Sequence, residues 1–166
     1  MSISRGQVED KLTDLFFRYE DALAKSDLVK LEGFFESDIK FIKIGMKGQL
    51  QGLEALRTHH VQLFERSHSG ADIHFRETVS LSVMSCGEGA GVTQSEFIDA
   101  FLPEGYRGSQ TLVWQKVLSE WKIISVHESV GVDVRDLTVN GRTYFANDRS
   151  QKKRLSVLKG QGNERP

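Results

Sequence analysis

Residues 72–130 contain four successive β-rich segments, and this run constrains the fold more than any other part of the sequence. The segments 72–85, 90–102, 106–118 and 121–130 are rich in Val, Ile, Phe, Thr and Trp, and the short turns CGEG, PEGY and SE separate them. Turns this short join antiparallel neighbours. The sequence therefore predicts a four-stranded antiparallel meander, whose long strands must twist and can curl.

Three predicted helices precede the meander. Apolar residues recur at three-to-four-residue steps over residues 8–23, which predicts one long amphipathic helix. Ser26 or Asp27 caps a shorter helix that ends at 36–38, and a third helix is predicted over 53–67. Between the last two, the stretches IKFIKIG, MKG and QLQG predict a hairpin. Helices followed by a meander indicate an α+β domain in which the helices cover one face of a curved sheet.

The last strand of the meander has a face that changes character along its length. Under strict alternation this face carries Trp121, Ile123, Ser125, His127 and Ser129. It begins apolar and ends polar, as expected for a cup that is packed shut at one end and open to a ligand at the other. His127 would then enter the cup, where an imidazole with an ordinary pKa of about 6.5 suits acid or base catalysis. A structural histidine is the alternative.

The same alternation assigns Glu128 to the opposite face, where it would serve an interface between subunits.

Composition excludes several classes of function. A chain of 166 residues with a net charge of −1 suits one domain and has no field that would attract nucleic acid. The single Cys86 forms no internal disulfide, and no apolar run has the length of a leader or a membrane span. The histidines lack the spacing of a zinc-binding helix. We therefore expect a cytoplasmic protein with a small-molecule partner and without a metal, a membrane or a nucleic-acid partner.

The chain is predicted to have three parts. Residues 1–130 form the α+β domain, and residues 131–147 add a β-hairpin around the turn signal Asn140-Gly141. Residues 148–166 are polar and basic and contain two glycines, which predicts a mobile tail.

The order of these elements, together with the motifs RYEDALAKSDLVKLEGFF, IKIG, GQLQG, RGSQTLVW and WKIISVHES, resembles the nuclear transport factor 2-like (SnoaL-like) superfamily. The last four motifs are most similar to its AtzH-like branch. The resemblance implies a cystatin-like α+β roll, in which a cone-shaped curved antiparallel sheet wraps around three N-terminal helices. It also implies a ligand pocket inside the cone, no cofactor and a homodimer.

The resemblance also suggests site residues. Tyr19 matches the donor tyrosine of ketosteroid isomerases, and Lys43 lies where the AtzH-like branch has an arginine. Arg107 and Gln110 match polar pocket residues of that branch. Strict alternation separates these last two, and a bulge at Gly108 would bring them together. The alternatives are a core role for the tyrosine and a solvent-exposed amine for the lysine.

Trp114 shares the face of Gln110, and Trp114 and Ser129 complete the predicted substrate-binding set.

These residues favour a cofactor-independent enzyme that acts on a small polar, carboxylated metabolite. Tyr19, Lys43 and His127 would be catalytic. An AtzH-like hydrolase is the leading reaction class, and a SnoaL-like cyclase, isomerase or dehydratase follows it. A non-catalytic module for ligand binding or dimerisation remains the alternative from a different class.

Overall fold

The structure is a computed structural model in which two compact units, 1–131 and 132–166, are distinguished. It describes residues 4–37, 42–45, 48–68, 76–99, 102, 104–132, 137–139 and 142–144. The tail predicted at 148–166 lies outside the described residues. Within the described part of the chain, no helix combines the length and apolar character needed to cross a membrane.

The three predicted helices are present, as α1 (Arg5–Ala24), α2 (Leu28–Gly33) and α3 (Leu53–His68). A capping box begins α1, because the side chains of Ser4 and Gln7 each accept a hydrogen bond from the other's backbone N–H.

Asp27, one of the two predicted caps, begins α2 by accepting from the backbone N–H of Lys30. The helix ends at Gly33, before the predicted 36–38, because Phe35 leaves it to form a parallel bridge with Ile123.

Six strands form one curved, unclosed sheet in the order β2-β1-β6-β5-β4-β3. Their bounds are β1 Ile42–Gly45, β2 Gly48–Gln51, β3 Arg76–Ser85, β4 Ala90–Asp99, β5 Tyr106–Val117 and β6 Glu120–Val132. The predicted hairpin of β1 and β2 and the predicted antiparallel pairing of β3, β4 and β5 are confirmed. The α+β class is therefore confirmed.

The sheet is not wholly antiparallel, contrary to the prediction. β1 runs parallel to β6, and Lys43 lies opposite Val126 in the register. After α2 the Phe34 carbonyl accepts from the Ile123 N–H at 2.7 Å, and Phe35 forms a parallel bridge with Ile123. The chain beside Ile123 therefore already runs in the direction of β6. This pairing places Lys43, from the first half of the chain, beside β6, the last long strand.

The core lies between α1 and the concave face of the sheet. α1 packs on β3 and β4, and its Leu12 is so close to β4 that a Cβ at Gly91 would lie 2.2 Å from the leucine Cδ1. A larger residue at position 91 would force the leucine side chain to shift. Trp114, Ile123 and Phe34 fill the space further along, which closes one end of the concave face with apolar side chains.

The second unit contains a small antiparallel pair, β7 (Leu137–Val139) and β8 (Arg142–Tyr144). Its strands flank residues 140–141, as the predicted hairpin requires, and those two residues themselves lie outside the described part.

Candidate functional site

The concave face becomes polar at the end opposite the apolar core. This end is built from the C-terminal part of α1, the strand β1, the first residues of β3 and β5, and the last residues of β4 and β6. A connected set of side chains lies here, which we call the polar cluster: Tyr19, Glu20, Lys43, Arg76, Gln110 and Glu128. Sequence reasoning predicted three of its members, namely Tyr19, Lys43 and Gln110.

Glu128 is the centre of the cluster. Gln110 Nε2 donates to its Oε1 at 2.7 Å, the Lys43 ammonium lies 3.0 Å from its Oε2, and Arg76 Nη1 lies 3.5 Å from its Oε1. Burial alone would raise the pKa of Glu128, but the charges of Lys43 and Arg76 and the two hydrogen bonds outweigh burial and lower that pKa to about 2. Glu128 is therefore an ionised carboxylate at neutral pH.

Tyr19 presents its hydroxyl to the cluster from the buried face of α1. Its ring packs edge-to-face on Phe34 and Phe35, with centroid distances of 5.9 and 6.1 Å, and its oxygen accepts from Gln110 Nε2 at 3.4 Å. Burial, and then the charge of Glu128, raise the pKa of Tyr19. The phenol therefore keeps its proton, for which the described residues offer no acceptor.

Gln110 has its amide orientation fixed by these contacts. Its nitrogen must face the Glu128 carboxylate, because an ionised carboxylate only accepts, and the same nitrogen then donates to the Tyr19 hydroxyl. The amide oxygen is then left buried with no hydrogen-bond partner among the described residues. This oxygen and the Tyr19 hydroxyl therefore belong to two side chains in direct contact.

Arg76 is held flat on an aromatic platform. Its guanidinium carbon lies 3.5 Å from the centroid of the Phe97 ring, and Phe97 lies opposite Gly108 in the sheet register. A Cβ at Gly108 would come within 2.1 Å of that ring. The register of β4 and β5 has no shift here, so the bulge that Gly108 could have allowed is absent. The glycine instead makes room for the phenylalanine.

Glu20 lies at the edge of the cluster, with its Oε2 3.3 Å from Arg76 Nε. Burial raises the pKa of Glu20, Arg76 opposes this rise, and the negative charges of Glu128 and Asp99 reinforce it. Glu20 therefore holds a proton more readily than an exposed glutamate.

The β6 strand does not keep the alternation that the sequence suggested. Ile123 and Val126 are both buried although they are three residues apart, so the inward face changes phase between them. Glu128 consequently shares the inward face with Val126. His127 lies opposite Ile44, and both side chains are exposed. The expectation that His127 enters the cup, with Glu128 on the other face, is wrong.

Three further predicted site residues lie apart from the cluster. Trp114 is fully buried in the apolar core, where its indole N–H donates to Thr93 at 3.0 Å and its ring packs on Phe34. Arg107 is half-buried on the face opposite Gln110, because the register contains no bulge. Ser129 is exposed, as is the nearby His127, because of the phase change in β6.

The residues that sequence reasoning missed are Arg76, Glu20 and the inward Glu128. A glycine inside a strand signals a close approach, and Gly108 could have drawn attention to a ring above it. Nothing local marks Arg76, because its role depends on a ring from the next strand. Within the described residues, no group of three or more His, Cys, Asp or Glu side chains could hold a metal ion.

Comparisons with solved structures agree with the fold. A protein of unknown function of the DUF3225 family from Pectobacterium atrosepticum is 26% identical, with a TM-score of 0.64 over 75% of this chain and 91% of that protein. An NTF2-like superfamily protein from Salmonella enterica serovar Typhimurium is 18% identical, with a TM-score of 0.65 over 84% and 99%.

A ketosteroid isomerase-like protein from Parabacteroides distasonis is 18% identical, with a TM-score of 0.53 over 69% of this chain and 83% of that protein. No curated protein matches the sequence. A family model described as AtzH-like matches residues 1–133. The match spans most of the chain and the whole polar cluster, so the protein is a member of the AtzH-like family.

Proposed function

We propose that the protein is a cofactor-independent enzyme that acts on a small, polar, carboxylate-bearing metabolite, with hydrolysis of an amide bond as its reaction. One observation carries this proposal: the Tyr19 hydroxyl accepts from Gln110 Nε2 at 3.4 Å, which leaves its own proton available to a ligand, and the buried Gln110 Oε1 has no hydrogen-bond partner among the described residues. A carboxamide or urea group offers a carbonyl oxygen and an N–H in the complementary arrangement.

The tyrosine would act on the carbonyl group. Hydrolysis adds one water molecule across the C–N bond, so that the carbonyl oxygen gains negative charge as the water attacks and the amine leaves with a proton. A buried phenol that donates to this oxygen stabilises the developing charge most strongly in the transition state. Gln110 would orient the substrate by accepting from its N–H.

Lys43 and Glu128 have supporting roles. Glu128 fixes both Gln110 and Lys43, and with a pKa of about 2 it is a poor proton acceptor at neutral pH. Lys43 supplies a buried cation close to the bound metabolite, where a carboxylate or carbonyl oxygen would be attracted to it.

A screen for turnover tests the proposal. We would measure product formation from a panel of small carboxylated amides and ureas with the natural protein, Tyr19→Phe and Gln110→Leu. Removing the phenol should lower kcat by roughly 10²-fold, the loss typical of a transition-state donor. Removing the amide should raise KM, because the N–H of the substrate loses its acceptor.

Matched controls are available on β5. Tyr106→Phe and Gln115→Leu alter exposed residues of the same types and should leave both constants unchanged. Turnover that is unaffected in Tyr19→Phe would contradict the mechanism. Binding of panel members without any turnover would support the alternative class, a ligand-binding module.

A separate observation favours the alternative function, a non-catalytic ligand-binding module. All four charged groups nearest the tyrosine are paired with one another, and Glu128, the one of the two carboxylates that contacts Gln110, is a weak base. An isomerase or cyclase needs a stronger base, so these reactions rank below hydrolysis. The homodimer implied by the family resemblance remains a prediction, and light scattering of the purified protein would test it.

A further inference from the structure

Arg76 and Glu20 carry unsatisfied polar atoms that the proposed reaction does not use. Nε and Nη2 of Arg76 and Oε1 of Glu20 are buried and have no hydrogen-bond partner among the described residues. Buried polar groups in folded proteins nearly always have one. Nε and Nη2 form one edge of the guanidinium, the edge that binds a carboxylate through two parallel hydrogen bonds.

Neither neighbouring carboxylate satisfies that edge. Glu20 Oε2 lies 3.3 Å from Arg76 Nε but forms no hydrogen bond with it, and Glu128 approaches Nη1 on the other side. The Arg76 side chain is only 5% exposed and its guanidinium lies over the Phe97 ring, so the guanidinium has little freedom to turn toward another partner.

We propose that the Nε and Nη2 edge of Arg76, which forms no hydrogen bond with the described residues, binds a carboxylate group of the ligand beside Glu20, and that Glu20 in its protonated form donates through Oε1 to the same carboxylate. We call this arrangement the carboxylate subsite. It rests on the proposed function only in identifying the bound carboxylate as part of a substrate. Binding takes up one proton from solvent when Glu20 starts ionised.

The surrounding charges explain why the proton is needed. Glu20 interacts with Arg76 from β3, Glu128 from β6 and Asp99 from β4, and its neighbour on α1 is Tyr19. An ionised Glu20 beside a second carboxylate would repel it, whereas a protonated Glu20 supplies a donor. Carboxylate binding should therefore weaken as the pH rises and Glu20 loses its proton.

Acetate is a sufficient probe, because it offers only the carboxylate. We would titrate the full chain with sodium acetate at constant ionic strength and follow the arginine Nε–Hε signals by ¹H–¹⁵N NMR, with sodium chloride as the ionic control. The Arg76 signal should shift and saturate, with a Kd that increases about tenfold for each pH unit above the pKa of Glu20. A Kd that does not change with pH would overturn the proposal.

Two variants complete the test. Arg76→Lys keeps the charge but loses the two-pronged edge, so acetate binding should weaken at least tenfold when followed by the backbone amide signals. Arg57→Lys, from the surface pair of Arg57 and Glu32, is the matched control and should bind as the natural protein does.

Glu20→Gln provides an independent readout if Arg76→Lys fails to fold. This variant removes the titrating group and keeps a donor, so acetate affinity should become independent of pH. Retained pH dependence in Glu20→Gln, or unchanged affinity in folded Arg76→Lys, would contradict the subsite. Neither result depends on turnover, so failure of the hydrolase proposal is distinguishable from failure of the subsite.

Discussion

The neighbouring strands β5 and β6 contribute to the same site but differ in how regularly their side chains alternate between the two faces of the sheet. β5 alternates without interruption, so that Gly108, Gln110 and Trp114 all face inward, as their spacing predicts. β6 changes phase between Ile123 and Val126, and the side chains after that point are exchanged between faces. A single irregularity thus decides which of two adjacent titratable residues reaches the interior.

The largest effect should come from the residue that the phase change brings inside. Glu128→Gln removes the charge that compensates Lys43 and Arg76, and leaving buried cations unpaired should lower the free energy of unfolding by roughly 3 kcal/mol. Urea denaturation measures this loss. Glu120→Gln, at an exposed position of the same strand, should change stability by less than about 0.5 kcal/mol. Equal effects at the two positions would place Glu128 outside the cluster.

Part of the difference in stability between the natural protein and Glu128→Gln should disappear at low pH. The pKa of Glu128 falls from 4.5 to about 2 on folding, so its charge stabilises the folded state above pH 4.5, and this contribution is lost as the pH falls toward 2. The stability gap between the natural protein and Glu128→Gln should therefore shrink steadily over this range. Denaturation series at several pH values would measure it, and a gap that stays constant would contradict the lowered pKa.

On β5 the sensitive position is a glycine. Gly108→Ala would force a methyl group against the Phe97 ring at 2.1 Å, which should cost about 1–3 kcal/mol through overpacking and displace Arg76 from its platform. Gly131→Ala, on β6 with nothing within 4 Å of the added carbon, is the control and should be nearly neutral. Thermal unfolding would compare them, and a neutral Gly108→Ala would show that the ring does not lie over the glycine.

The smallest effect should come from the residue that the phase change sends outward. His127→Ala should alter the free energy of unfolding by less than about 0.5 kcal/mol, because the imidazole is exposed beside Ile44. A loss above 1 kcal/mol in urea denaturation would indicate a buried histidine and would restore the uninterrupted alternation.

Regular periodicity explains what the sequence could predict. The helical stripe placed Tyr19 in the interior, and alternation on β5 did the same for Gln110, because both depend only on local geometry. Lys43 was assigned from a family resemblance, and its buried position on β1 is consistent with that assignment.

The remaining members of the cluster depend on contacts that no local pattern records. Glu128 faces inward only because of an irregularity in its strand, and Arg76 is positioned by a ring on β4 that itself depends on a glycine on β5. Contacts that involve three different strands exist only in the assembled sheet. The alternation of side chains along a single strand therefore could not predict them.

The parallel pairing of β1 with β6 has a consequence for the order of folding. Lys43 is synthesised early, yet its counter-ion belongs to residue 128, near the end of the first unit. Until the last long strand emerges from the ribosome, the Lys43 ammonium lacks the Glu128 carboxylate and remains hydrated. The site is therefore among the final parts of the unit to assemble, and a chain that stops before β6 lacks it altogether.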